Sequence, residues 1–270
     1  MKHNFHKINI AIFTTKNSKE VVKLGLDYYK YIGIEKISIV CPKDHYKELN
    51  FNNNNVDYIF DEEIAYYDEI KESSKKFGIK SKWYLQQFLK LSLWNSSDND
   101  LLIIDGDTIV SKETLNLIVS DDVLFYTKEN IARYNLFINS VFNLSTTDKS
   151  FICNFCNFKD SNKFIFEKDF LKFLNLVEIN IHNLKNTDLS EYQLHGTLEY
   201  INNKNTKKLR IFRRADLFIF GPLKNIADVD IHDLKSFFLG YNAICYEFNH
   251  NRNLIKSLLA HVYRIFKVTW

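Results

Sequence analysis

Short apolar runs alternate along this chain with longer segments whose apolar residues return every three or four positions. The first kind predicts strands and the second amphipathic helices. Ile8-Asn-Ile-Ala-Ile-Phe-Thr-Thr15 predicts a first strand. Residues 19–32, with Val21, Val22, Leu24, Leu26, Tyr28, Tyr29 and Ile32 apolar, predict a helix capped by Ser18 and closed near Gly33. Lys36–Cys41, stopped by Pro42, and Val56–Phe60 predict the second and third strands. Residues 64–79 predict a helix of mixed character. Lys82–Trp94 predicts one that is apolar around most of its girth and therefore buried. Next comes Leu101-Leu-Ile-Ile, a run that suits a strand covered on both faces. Further on, 112–119 predicts a short helix, 123–126 and 150–158 strands, the neighbourhood of Phe170, Phe173, Leu174 and Val177 a helix, and 209–214 and 217–220 strands. Strand–helix–strand order implies an α/β fold with central parallel strands flanked by helices.

The apolar run 101–104 ends in Asp105-Gly106-Asp107, followed by Thr108. In open α/β sheets ligands sit beyond the carboxyl ends of the strands. Two carboxylates there repel each other unless a cation neutralises them, and Mg2+ or Mn2+ prefers carboxylate, phosphate and water oxygens. Glycine between them removes a side chain where a ligand would come close. This pattern predicts a metal-bridged phosphate site, against the simpler reading of an Asp-Gly turn. Gln86, Gln87 and Lys90 are polar groups on the buried helix just before that strand. They either satisfy the backbone and reach solvent, or serve the site, with Lys90 on a phosphate and a glutamine on substrate.

Composition narrows the field. The chain has 270 residues, 46% hydrophobic and 26% charged, enough for one large α/β domain. A net charge of +3 gives no sign of nucleic-acid binding. Neither a G-x-G-x-x-G nor a G-x-x-x-x-G-K-[ST] loop follows the first strand, so the dinucleotide and P-loop fingerprints are missing. No signal-peptide pattern and no apolar run of about 18 residues occurs, so a cytoplasmic location is expected. Cys153 and Cys156 form a lone C-x-x-C on a predicted strand, where they would point to opposite faces, and no metal or disulfide is expected there.

Trp83-Tyr-x-Gln-Gln-Phe-x-Lys-Leu91 with Asp105-x-Asp-Thr108 resembles a bacterial glycosyltransferase-like family met in capsule and lipopolysaccharide clusters. Lys90-Leu-x-x-Trp94 followed by Asp-x-Asp is similar, more distantly, to glycogenin-like GT-A glycosyltransferases. Ser190-Glu191-Tyr192, with Gly196, also resembles the bacterial family. The likeness spans roughly residues 8–200. It implies a GT-A-like, Rossmann-type mixed sheet and a nucleotide-sugar donor held through Mn2+ or Mg2+. On that resemblance Asp107 is the more direct metal ligand, Asp105 meets metal or ribose, and Gly106, Gln87 and Lys90 bind donor. By fold analogy Thr14 and Thr15 lie beside the nucleotide, and Asp61 or Glu62 beside its base or ribose. Inverting transfer needs a carboxylate to take the acceptor's proton. Glu191 is expected in that role, with Asp188 as the second choice. His195, or less readily His232, would be a third metal ligand. The glycogenin-type terminal His, Gly and Lys-Pro-Trp motif is not visible.

Residues 1–250 are expected to form one catalytic domain, with a donor half of about 1–110 and an acceptor half of about 111–250. Residues 251–270 are expected to form an amphipathic basic helix that docks on the domain or touches an anionic membrane surface. Arg210, Arg213 and Arg214 are either a solvated face or contacts to an anionic group. The implied acceptor is a cell-surface glycan or a lipid-linked sugar. A dehalogenase-type phosphatase, with Asp105 as nucleophile, and a non-catalytic binding protein are the alternatives.

Overall fold

The computed structural model describes residues 9–51, 55–97, 101–119, 123–127, 132–143, 150–151, 155–156, 170–184, 187–203, 208–211, 214–218 and 243–247. Within these, the elements run β1 (Asn9–Phe13), α1 (Lys19–Tyr31), β2 (Lys36–Cys41), α2 (Tyr46–Leu49), β3 (Val56–Phe60), α3 (Tyr67–Lys75), α4 (Ser81–Ser96), β4 (Leu101–Asp105), β5 (Thr108–Val110) and α5 (Lys112–Val119). There follow β6 (Val123–Thr127), α6 (Ala132–Phe142), β7 (Ser150–Phe151), β8 (Phe155–Cys156), α7 (Phe170–Asn183), α8 (Glu191–Asn203), β9 (Lys208–Ile211), β10 (Arg214–Phe218) and β11 (Ala243–Glu247).

The central sheet has the order β3-β2-β1-β4-β8. Its first four strands are parallel, and β8 pairs antiparallel with β4. The chain thus builds outward from β1 to β3 on one side, then returns to lay β4 on the other side of β1. That reversal creates a switch point between β1 and β4, where the connections from the two strands leave in opposite directions and open a crevice. Phe13 pairs with both Val40 and Asp105, so the carboxyl ends of β1, β2 and β4 lie on one edge.

Alternation along the strands explains the two layers of core. Ile10 and Ile12 of β1, Ile37 and Ile39 of β2, and Leu102 and Ile104 of β4 pack with α1 through Val21, Val22, Leu26 and Tyr29. Ala11, Phe13, Val40, Leu101 and Ile103 face the other way and pack on Tyr84, Phe88, Leu91 and Trp94 of α4, backed by α7 and α8. Burying both faces is what selects such near-continuous apolar strands.

Helix α1 ends as its glycine predicts. Gly33 adopts φ +89°, its N–H donates to the Lys30 carbonyl, and the Ile34 N–H donates to the Tyr29 carbonyl. This pair of bonds satisfies carbonyls left over at the helix end and needs a left-handed residue between them. Ser18 stands at the N-cap, but no side-chain bond caps the helix. A short 3-10 turn over Lys16–Ser18 precedes it instead.

Several boundaries differ from expectation. The helix expected over 64–79 is shorter, Tyr67–Lys75. Gly78, at φ +56°, begins a 3-10 turn over Gly78–Lys80 that redirects the chain into α4. Residues 132–142, whose apolar positions are interrupted by polar ones, form a helix where none was predicted. Only Phe137 and Ile138 of it are fully buried. Residues after Asp107 turn into a separate strand, β5, paired antiparallel with β11. The expected strand 209–214 divides, with β9 on β6 and β10 on β11. Among the described residues no helix is long and apolar enough to cross a membrane. Cys153, Arg213, His232 and the expected helix 251–270 lie outside the described residues.

Candidate functional site

Asp105 is the last residue of β4, and Gly106 and Asp107 make the turn into β5. The glycine has a specific reason to be there. A Cβ at position 106 would lie 2.3 Å from Thr14 Oγ1 and 2.5 Å from Thr14 Cβ. The Gly106 N–H donates to the Phe13 carbonyl at 2.7 Å. The turn therefore closes directly onto the end of β1, across the switch point. The space expected for a ligand beside Gly106 is occupied by Thr14. Thr14 is itself buried, and Thr15 beside it is exposed.

Lys90 is 2% exposed, and it does not reach solvent. Its ammonium donates to Asp105 Oδ1 at 2.6 Å, to Glu191 Oε1 at 2.7 Å and to the Tyr192 hydroxyl at 2.8 Å. An ammonium has three protons, so these partners use its donor capacity. The expectation that Lys90 contacts a phosphate is thus replaced by a role in holding Asp105. The Tyr192 hydroxyl donates in turn to Asp105 Oδ2 at 2.9 Å, and Gln86 Nε2 stands 3.4 Å from Oδ1. Burial pulls Lys90 toward the neutral form. The nearby charges of Asp105 and Glu191 more than offset this, leaving its pKa at about 12. Burial pushes Glu191 up from its ordinary value, against the pull of Lys90. With nitrogen and oxygen 2.7 Å apart, the ion pair is the arrangement that the geometry supports. Tyr192 is held protonated by burial and by the Asp105 and Glu191 charges, which suits it as a donor.

The structure brings Glu191 to the cluster, but with its carboxylate on Lys90. The expected proton-taking role finds no support in that pairing. Gln87 is buried, and its Oε1 accepts the backbone N–H of Glu191 at 3.1 Å. It satisfies one of the N–H groups that every helix start leaves over, here from a neighbouring helix. Asp188 lies apart from Lys90, on partners of its own: Lys80 Nζ at 2.6 Å, the Tyr84 hydroxyl at 3.2 Å and Arg133 Nη1 at 3.4 Å. His195 is buried on α8 and packs edge-on against Trp94, ring centroids 4.8 Å apart. Among the described residues no three His, Cys, Asp or Glu side chains are grouped to hold a metal, so His195 does not join Asp105 and Asp107 as a third ligand.

Asp61 follows β3 on the same sheet edge. Burial, then the charges of Glu62 and Asp44, raise its pKa to about 7. Glu62 accepts the Lys43 backbone N–H at 3.2 Å. Arg210 is exposed. Two members of the cluster were not expected as partners of Asp105: Gln86, for which the sequence offered a backbone bond or a substrate contact, and Tyr192, whose hydroxyl lies between Lys90 and Asp105. Their neighbours Gln87 and Glu191 were the residues singled out, and helical spacing alone could not tell adjacent positions apart.

The donor set suits a divalent cation of the Mg2+ kind, which is held by one or two carboxylates and completed by phosphate and water. Asp107 is partly exposed, with one oxygen accepting from Thr108 at 3.0 Å. An ionised carboxylate offers about four acceptor positions. Lys90, Gln86 and Tyr192 leave Asp105 one of them.

Solved structures of similar fold include two glycosyltransferases. One is the galactosyltransferase LgtC in complex with donor and acceptor sugar analogues, at 13% identity over 88% of this chain and 86% of that one, with a TM-score of 0.47. The other is the apo structure of the bifunctional glycosyltransferase WbbM, also at 13% identity, over 91% of this chain but 46% of that one, with a TM-score of 0.44. No protein-family model and no curated protein matches the sequence.

Proposed function

We propose that this chain is a metal-dependent glycosyltransferase that moves a sugar from a nucleotide-sugar donor to a glycan or lipid-linked acceptor. The observation that carries the reading is the acidic pair Asp105 and Asp107, set at the carboxyl end of β4 and across the switch point from Thr14. Asp107, with the remaining acceptor position of Asp105, would hold Mn2+ or Mg2+. When bound, that cation supplies positive charge to the departing nucleotide diphosphate. Lys90, braced by Glu191 and Tyr192, fixes the orientation of Asp105 and is a positioning residue. Gln87 positions Glu191 in turn. Thr15, exposed two residues beyond β1, and Asp61, just after β3, would meet the nucleoside. A peripheral contact with an anionic membrane is supported by the basic amphipathic pattern of residues 251–270.

Isothermal titration with UDP, GDP and CMP, with and without Mn2+, tests the reading. One nucleotide is expected to bind only with the metal, and Asp107→Ala to abolish that binding while leaving the melting temperature within a degree or two, about 0.5 kcal/mol. Equal binding with and without metal, or phosphatase activity without nucleotide binding, would overturn it.

A further inference from the structure

A polar seam runs from Asp105 along α4 to a second cluster of charge. Its rungs pair Tyr84 with Asp188, Gln87 with Glu191, and Lys90 with Glu191 and Tyr192. Tyr84 and Lys90 are six residues apart on one helix, a rise of about 9 Å. At the Tyr84 end lies an open cleft of about 870 Å3, lined by Lys76, Lys80, Tyr84, Arg133, His182 and Asp188 among others. This volume is in the range of ligand sites.

The charges of the cleft do not balance. Asp188, 7% exposed, is the carboxylate shared by Lys80 and Arg133, which are 49% and 54% exposed. Lys76 pairs with Glu178 at 2.7 Å. Three cations against two carboxylates leave one positive charge. Arg133 touches Asp188 through one nitrogen at 3.4 Å and the Tyr134 hydroxyl through the other at 2.9 Å, rather than as a two-pronged pair. A guanidinium has five N–H donors, so several remain for a ligand. One wall is aromatic, with Phe77 stacked on Tyr84 at 4.0 Å and on His182 at 5.6 Å. Gly78, in the turn beside Lys80, has nothing within 4 Å of where a Cβ would point, so the mouth is open there.

We infer that this cleft binds an anionic sugar, its carboxylate or phosphate on Lys80 and Arg133 and its ring along the Tyr84–Phe77–His182 wall. Resting on the transferase reading, the cleft is the acceptor site, and the acceptor is acidic. A hexose held there lies one helical segment from the Asp105 cluster, with Asp188 setting the geometry of both cations.

Titration of the full chain with glucuronate, glucose 6-phosphate, glucose and inorganic phosphate, at low ionic strength and without nucleotide or metal, tests this. At least one acidic sugar is expected to bind about tenfold or more tightly than glucose, since charge-assisted bonds to a guanidinium supply that difference. A preference for glucuronate points to an acidic sugar, and one for glucose 6-phosphate to a phosphorylated acceptor. The preference is expected to vanish in the Lys80→Gln, Arg133→Gln double variant. Asp188→Asn, which lifts the competing charge, is expected to tighten acidic-sugar binding. Equal affinity for all three sugars, binding of none, inorganic phosphate matching the sugars, or a preference that survives in a folded double variant would each overturn the inference. Because nucleotide and metal are left out, a failure of metal-dependent nucleotide binding is read separately and refutes transfer without touching this result.

Discussion

Two ion clusters lie along α4 with their signs reversed, each built on one buried charge. Around Asp105, one cation serves two carboxylates. Lys90 is 2% exposed and Asp105 and Glu191 share it, so the group carries −1, or −2 with Asp107. Around Asp188, one carboxylate serves two cations, and Lys80 and Arg133 bring that group to +1. In each case the minority charge is buried. In the first cluster only Asp105, 32% exposed, reaches the open side while Glu191 stays buried, and in the second both Lys80 and Arg133 reach it. A buried charge must be paired, whereas an exposed one keeps its hydration and can still meet a ligand. The first cluster is thus suited to accept a further cation, and the second a further anion. The sign of the ligand that each cluster suits is set by the charge its buried partner leaves uncompensated.

The largest effect should come from the buried cation. Lys90→Met leaves Asp105 and Glu191 uncompensated and is expected to cost about 3–5 kcal/mol of stability, read by chemical denaturation. A cost below about 1 kcal/mol would break the contrast. The next effect sharpens it with a third carboxylate on the same edge, Asp61, whose surroundings are acidic rather than basic. Its pKa of about 7 lies above the ordinary carboxylate value, so folding favours its protonated form. Stability is then lost as pH rises from about 4 to 7, because the unfolded chain releases that proton first. Asp61→Asn should remove this loss. It is expected to raise stability on the order of 1 kcal/mol at pH 8 and to change little at pH 4. Thermal melts at both pH values check the sign. Smallest is Lys80→Met. The lysine is half exposed, and the expected cost is below about 1 kcal/mol, shrinking further in high salt.

How far the sequence was legible depends on how local the signal was. The parallel strands were plain because each buried strand must be apolar nearly throughout. The α1 end was plain because only a glycine sits easily at φ +89°. Helix α6 was missed because its burial comes down to Phe137 and Ile138 and gives no sustained period. Gly106 was noticed for a reason that the fold revises, since the group it makes room for is Thr14, ninety-two residues earlier. Lys90 was singled out on the right helix, yet its partners could not be read, as Glu191 and Tyr192 lie a hundred residues on.

By itself the sequence determined the layered α/β order, the buried character of α4 and the position of the acidic pair at a strand end. All of these follow from periodicity and from the obligation to bury apolar surface. Only the tertiary structure decided which charges meet, because an ion pair is fixed by distance in space, and α4 finds its partners on α8 and in the segment before it only once both pack on the same face of the sheet.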